Sequence, residues 1–358
     1  MKIIDIYIIK KFLSTFFFAI SLLIVIVVVF DVSENIDEFL ENDAPLYDII
    51  FSYYLNFIPY FVNLFLYLFT FISVIFFTSK MASNSEIIAI LSSGISFRRF
   101  LRPYFISAAF LAILSFYLAN FLIPQTNEKK RDFKDKYMEK LAKNKDRNIH
   151  LQTSPGTFIY VENYNNSTNL GHKFSLEKFK NEKLYYKFRA EKLEWDTITK
   201  KWHFEDYYIR TIDGMDEKIF KGKELDTTLI LQPSDLYYYK EDYEEMNYWE
   251  LNKYIKHAKL KGSDKVKDYE IEKNKRIASP FATIILTLIG VSLSCRKVRG
   301  GIGMHLGLGI TITFAFILFM QISTVFATFG NLSPAVAVWI PNIIFGLLGI
   351  FLLKTAPK

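Results

Sequence analysis

Five histidines, one cysteine and 37 carboxylates are the groups from which any catalysis would have to be built. Their spacing builds none. His150, His172, His203, His257 and His305 are scattered, with no H-E-x-x-H to set two imidazoles and a general base around zinc. Cys295 stands alone, which excludes an intrachain disulfide and a thiolate metal cluster. No G-x-x-x-x-G-K-[ST] loop is present to cradle phosphates, and the carboxylates of 125–276 do not single out an acid–base pair. The chain reads as non-catalytic, with neither cofactor nor metal implied.

One short stretch has a pattern suited to being gripped. In SNSEIIAILSSGISFRRFLRP, residues 83–103, Ser83 and Glu86 have capping-box spacing and predict a helix over about 83–95. Ile87, Ile88, Leu91 and Ile95 would share one face, with Glu86, Ala89, Ser92 and Ser93 on the other. Gly94 suits a left-handed cap, and Pro103 suits the first turn of the next helix. Arg98, Arg99 and Arg102 follow directly. The pattern fits a docking helix for a soluble partner, and equally an ordinary surface helix in a loop.

The elements that must hold this stretch are membrane spans. The mean hydropathy of +0.15 hides a segregation of charge. Blocks at 12–30, 57–78, 104–123, 277–295, 302–329 and 332–353 are each about the 20 apolar residues a bilayer requires. The net charge of +7 orients them and says nothing for nucleic acid. With the N-terminus inside, the short inner segments hold Lys2, Lys10, Lys11, Lys80, Arg98, Arg99, Arg102, Arg296, Lys297, Arg299, Lys354 and Lys358. The short outer segments 31–50 and 330–334 hold no Lys or Arg, and the first carries Asp31, Glu34, Asp37, Glu38, Glu41, Asp43 and Asp48. Both termini are therefore expected in the cytoplasm. The first block follows Lys10–Lys11 and lacks a small-residue cleavage site, so it reads as a retained span.

Three regions follow: spans 1–3 in 1–124, a soluble outer domain in 125–276, and spans 4–6 in 277–358. Residues 128–147 are charged and predict a helix extending span 3, with a solvated face or acidic headgroups as its surroundings. From 149 to 239 the period falls to two, and 156–161, 183–195, 201–211 and 226–232 predict strands. Trp195 and Trp202 should flank a hairpin, while 163–171 and Asp213–Gly214 read as turns. An antiparallel sandwich or open barrel is expected. Residues 246–276 turn helical and lead into span 4. In span 5, Gly303 and Gly307 form a G-x-x-x-G pair for close helix packing, within the chain or against a partner. Pro59 and Asn63 should bend span 2.

No Asp, Glu, Lys or Arg falls inside the six blocks. Ion-coupled transporters need such groups in the membrane to carry the coupling charge. His305, near the inner end of span 5, suits a packing or interfacial role. Work must then come from elsewhere, and an ATPase docked at 83–95 is consistent with that.

The chain resembles the LptF/LptG (YjgP/YjgQ) permeases over nearly its whole length. Asp5-Ile6-Tyr7-Ile8 is similar to the family's opening D-R-Y-I, and Ser85-Glu86-Ile87 with Ser93-Gly94-Ile95-Ser96 to its connector. Arg276-Ile277-Ala278-Ser279-Pro280 and Ala337-Val338-Trp339-Ile340-Pro341 complete the match. The start leans towards LptG without separating the paralogues. The resemblance implies a permease subunit of an ABC transporter that extracts lipopolysaccharide from the inner membrane of a Gram-negative cell. It would pair with the other paralogue, be driven by an LptB-type ATPase dimer, and pass lipid to an LptC-type periplasmic bridge. The outer domain would be a periplasmic β-jellyroll-like open sandwich. Glu86 matches the connector glutamate that faces a basic residue of the ATPase, and Ile87, Leu91, Gly94, Arg98 and Arg99 surround it. Where some members carry lysines near the outer end of span 1, this chain has Asp31, Glu34 and Asp37, so no lipid-contact residue is transferred. A non-transporting scaffold is an alternative. A macrolide-exporter-type permease is another, although its outer domain usually follows the first span.

Overall fold

The computed structural model describes residues 2–138, 147–165, 168–233, 236, 242–260, 266–296 and 301–355. The basic loop at 297–300, the sequon at Asn166 and the charged stretch at 139–146 lie outside them. The chain forms two compact units. One comprises Met1–Met138, Glu244–Tyr248 and Lys267–Lys358; the other comprises Glu139–Tyr243 and Trp249–Val266.

Among the described residues of the first unit six helical rods are long and apolar enough to cross a bilayer. Helix α1 spans Ile3–Glu41. The second rod is α2 (Leu46–Asp48), a wide π turn at Ile49–Tyr54, and α3 (Leu55–Ser83). The short α4 (Glu86–Ser92) follows. The third rod is α5 (Phe97–Tyr117), a π turn at Leu118–Leu122, and α6 (Ile123–Tyr137). Each π turn loosens carbonyls from the regular ladder, and an asparagine recovers one or two of them. Asn56 Nδ2 donates to the carbonyls of Phe51 (3.0 Å) and Ser52 (2.9 Å), and Asn120 Nδ2 to that of Phe116 (2.9 Å). Pro59 lies inside α3, and Asn63 accepts from Ser115 Oγ at 2.7 Å, tying the second rod to the third.

Burial explains how the rods pack. Helix α1 buries a single stripe, Asp5, Ile8, Phe12, Phe16 and Ile20, at helical spacing. That stripe packs with Leu66, Val74, Phe77 and Met81 of α3 and with Phe97, Phe100 and Tyr104 of α5. The opposite side of α3, through Phe71 and Ile75, joins a second cluster with the later helices. These are α9 (Val266–Ser294), α10 (Gly301–Phe329) and α11 (Pro334–Thr355). Some interhelical polar contacts among the described residues run from side chain to backbone. Ser323 Oγ donates to the Ala337 carbonyl at 2.5 Å and Asn342 Nδ2 to that of Ala278 at 3.0 Å.

The second unit carries one antiparallel sheet in which sequence neighbours pair: β1 (Arg147–Ser154), β2 (Thr157–Asn165), β3 (Leu170–Lys180), β4 (Lys183–Asp196), β5 (Lys201–Asp213) and β6 (Asp216–Thr227). Helices α7 (Asp242–Glu245) and α8 (Tyr248–Leu260) lie between the sheet and α9 in sequence. The six-span helical protein with an inserted all-β domain is therefore what the chain forms.

The sheet alters the strand list in three ways. β1 and β3 add strands where none had been marked, with β3 starting at Leu170, inside the predicted turn. The strand predicted at 226–232 is instead β6, ending at Thr227. The helix predicted over 128–147 ends at Tyr137, and Arg147 opens β1. The Trp195↔Trp202 hairpin forms as predicted, with ring centroids 5.0 Å apart.

The sheet carries a crease across β2 to β5. Lys173 (φ 53°) and Asp206 (φ 49°) take the left-handed conformation within strands. They lie at one level with Glu162 and Glu191, between the flanking pairs Val161↔Phe174, His172↔Lys192 and Ala190↔Tyr207. Across that level the buried positions change parity: Val161 to Tyr164, Phe174 to Gly171, Ala190 to Leu193, Phe204 to Tyr207. Simple alternation therefore fails midway along each of β2 to β5. The core of this unit is aromatic, with Phe174, Phe188 and Phe204 mutually packed and Trp202 Nε1 donating to the Leu231 carbonyl at 2.8 Å.

Candidate coupling site

Helix α4 is shorter than predicted. It begins at Glu86, and the residue before it, Ser85, has φ 60° and caps nothing with its side chain. Ser83 ends α3, so the predicted capping box does not form. The tight reversal between α3 and α4 prevents it, because it forces Ser85 into the left-handed region. Gly94 has φ 84° and closes the other end as expected. A Cβ there would meet nothing within 4 Å, so the glycine is needed for its backbone and not for space. Pro103 sits inside α5, which starts earlier, at Phe97 behind the cap Ser96.

The apolar face divides. Ile87 is 1% exposed and Leu91 packs beside it, both against the α1–α3–α5 cluster. Ile88, assigned to the same face, is 54% exposed, so α4 turns a narrower edge inward and leaves Ile88, Ala89 and Ser92 outside.

The charged residues are not equivalent. Glu86 accepts a hydrogen bond from the Tyr7 hydroxyl at 2.8 Å, and Lys11 Nζ stands 3.9 Å away. Lys11 also lies 4.6 Å over the Tyr7 ring. Arg99 makes two bonds to one carboxylate, Nη1 to Asp5 Oδ1 at 2.7 Å and Nη2 to Oδ2 at 2.6 Å. Asp5 additionally accepts from the Lys2 backbone N–H at 2.8 Å, capping the start of α1. Fork-to-carboxylate pairs of this kind are directional and among the stronger hydrogen bonds. Arg98 is exposed and projects away from this network.

The fold thus brings Glu86, Ile87, Leu91 and Arg99 together with Asp5, Tyr7 and Lys11 of α1. Sequence reasoning missed the α1 contribution as a site. The available signals were a carboxylate, Asp5, placed just ahead of an otherwise apolar run, and the Asp5–Ile8 opening motif that holds both Asp5 and Tyr7.

Gly303 and Gly307 lie apart from the site on α10. A Cβ at either would meet nothing within 4 Å, whereas one at Gly309 would fall 2.2 Å from Ile75 Cδ1. Of these three α10 glycines, the close approach within this chain is at Gly309.

Two other clusters were also missed. At the far end of α1 from Asp5, Asp31 accepts from the hydroxyls of Tyr53 (3.3 Å) and Tyr54 (3.1 Å). Arg276, 5% exposed, donates through Nε to Glu272 Oε1 at 2.9 Å and through Nη1 to the Met246 carbonyl at 2.6 Å.

On the sheet, a cleft of about 440 Å³ is lined by His150, Tyr160, Lys173, Lys187 and Arg189 among others. Each of its cations faces a carboxylate: Lys173 with Glu162 at 2.7 Å, Lys187 with Glu177 at 2.8 Å, Arg189 with Glu191 at 3.6 Å. The arrangement is a self-compensated ladder.

Two triplets of apolar helices with an antiparallel sheet domain between them in the sequence, and a short helix locked between the second and third rods, define a multi-pass membrane protein. A family model described as lipopolysaccharide export system permease LptF/LptG matches residues 6–355, and the chain belongs to that family. A search of curated proteins finds no match.

Proposed function

We propose that this chain is a non-catalytic membrane subunit through which a separate cytoplasmic ATPase, an LptB-type dimer, drives extraction of lipopolysaccharide from the inner membrane. The lipid passes to an LptC-type bridge on the periplasmic side. The reading rests on membership of a lipopolysaccharide export family and on α4. The carrying observation is that α4 is anchored inward by Ile87 and Leu91 while Ile88, Ala89 and Ser92 stay exposed, which is the form of a seated lever with a free face.

Orientation follows from charge: α4 and both termini lie on the basic, cytoplasmic side, and the sheet domain is periplasmic. Glu86, Gly94 and Arg98, with the exposed Ile88, Ala89 and Ser92, form the docking element; Ile87 and Leu91 seat it and Arg99 braces it from behind. The paralogous subunit packs on the open Gly303–Gly307 face of α10. Acidic Glu34 and Asp37, exposed at the outer end of α1, would need partner cations or bridging metal ions to meet lipid phosphates.

The test is Glu86→Ala in the assembled complex. Its bond to Tyr7 is half-exposed and contributes little to folding, whereas a charge-assisted bond to the ATPase would be worth about 1.5–3 kcal/mol. ATPase co-purification should fall roughly 10- to 100-fold while the yield of the chain is unchanged. Unaltered recruitment and unaltered ATP-driven lipid release from proteoliposomes would remove α4 from the coupling path.

A further inference from the structure

We propose that the first turn of α1 is a second coupling element: Asp5 and Tyr7 clasp the α4–α5 corner at two points, so that displacement of α4 enters the first span directly. This rests on the reading of α4 as the element the ATPase pushes.

The clasp joins residues far apart in sequence. Arg99 holds both oxygens of Asp5, 94 residues away, and the Tyr7 hydroxyl holds Glu86, 79 residues away. Two bonds from a planar guanidinium fix orientation as well as distance, which a single Lys contact would not. The corner is rigid beneath them. Ile8, Met81, Ile87, Phe97 and Phe100 are all buried in one cluster, so α4 cannot shift far without carrying the start of α1.

Beyond the clasp α1 is lightly held. It fully buries one stripe as far as Ile20 and then only Phe39, with Leu23, Val27, Val28 and Val32 partly buried between them, and Phe18, Val25, Val29 and Phe30 are all more than 60% exposed. Its other polar tie is at the opposite end, where Asp31 receives Tyr53 and Tyr54. A rod fixed at its two ends with an open apolar flank can move as a unit within lipid. A push on Glu86 and Arg99 would then enter the first span at its own polar contacts, alongside the apolar packing of α1 on α3 and α5.

A bond that merely stabilised the fold would behave differently from one that transmits, and an apolar replacement separates the two. Removing both partners of a buried ion pair usually preserves stability. The experiment uses the chain assembled with its paralogue and ATPase in lipopolysaccharide-containing vesicles. Asp5→Asn, the double variant Asp5→Leu/Arg99→Met and wild type are compared. A fluorescent label is carried at Ile3→Cys, which is 88% exposed, in a Cys295→Ser background.

In Asp5→Asn, ATPase recruitment and hydrolysis should stay within about twofold of wild type. Lipid released per ATP should fall about tenfold, the equilibrium equivalent of losing one charge-assisted bond. The nucleotide-dependent change in label signal should vanish. The double variant should be as thermally stable as wild type and equally uncoupled. Wild-type release by Asp5→Asn overturns the proposal, and so does recovery of full release by the apolar pair. If wild type releases no lipid, yet nucleotide moves the label and Asp5→Asn abolishes that movement, the clasp stands and the cargo assignment falls.

Discussion

Arg276 offers the sharpest test of how the chain is tied together where it re-enters the membrane. Its guanidinium is almost fully buried, bonded to Glu272 one turn earlier on α9 and to the Met246 carbonyl 30 residues upstream. Arg276→Met keeps most of the aliphatic stem and removes the charge. It strands a Glu272 carboxylate whose side chain is only 26% exposed, and a carbonyl that has lost a 2.6 Å donor. A hydrogen bond to a charged group contributes about 1.5–3 kcal/mol, and breaking a buried pair costs about 3–5 kcal/mol. Since Glu272 can partly rehydrate, a loss of about 2–4 kcal/mol is expected. Thermal unfolding of the detergent-purified chain should show a midpoint lower by several degrees. Adding Glu272→Met should recover part of that loss, because no charge is then left without a partner. Arg276→Lys should behave like a partial loss, since one ammonium on a shorter stem does not span both acceptors. A neutral Arg276→Met, or a double variant that loses as much again as the single, would refute the role of Arg276 as a tie.

Asp31→Ala should cost about 1–3 kcal/mol by leaving two buried tyrosine hydroxyls without their acceptor, read as a lower unfolding midpoint. Asp31→Asn, which retains an acceptor oxygen, should cost less. On α10 the two glycine environments predict opposite outcomes. Gly309→Val should destabilise the isolated chain by about 1–3 kcal/mol through overpacking on Ile75. Gly307→Leu should leave the isolated chain unharmed and reduce co-purification of the paralogous subunit; normal assembly of Gly307→Leu would move the interface elsewhere.

In the sheet domain His203 Nδ1 lies 2.6 Å from Asp226 Oδ1, and that bond raises the imidazole above its ordinary value of 6.5. The folded protein therefore holds the proton more tightly than the unfolded chain. This contribution is fully present below pH 6.5 and is lost as pH rises through the raised value. Asp226→Asn should flatten this component of the pH–stability profile, and an unchanged profile would discount the pair.

The sequence alone determined the number and place of the apolar helices, because hydropathy acts residue by residue and needs no partner. The six spans, the inserted β domain and the Gly94 cap were all legible from local pattern; that Ile87 turns inward while Ile88 stays exposed was not. Tertiary structure decided whatever depends on residues distant in sequence. The crease in the sheet is invisible to a period-two reading, because left-handed residues on separate strands, Lys173 and Asp206, must align before parity changes. The start of α4 moved because the reversal from α3 sets the backbone of Ser85, overriding a side-chain spacing that would have capped a free helix. Arg98 and Arg99 are adjacent and chemically identical, yet one is exposed and the other is bound to Asp5. Only the packing of α1 against α5 distinguishes them, since a side chain's role follows from what the fold brings within hydrogen-bond reach.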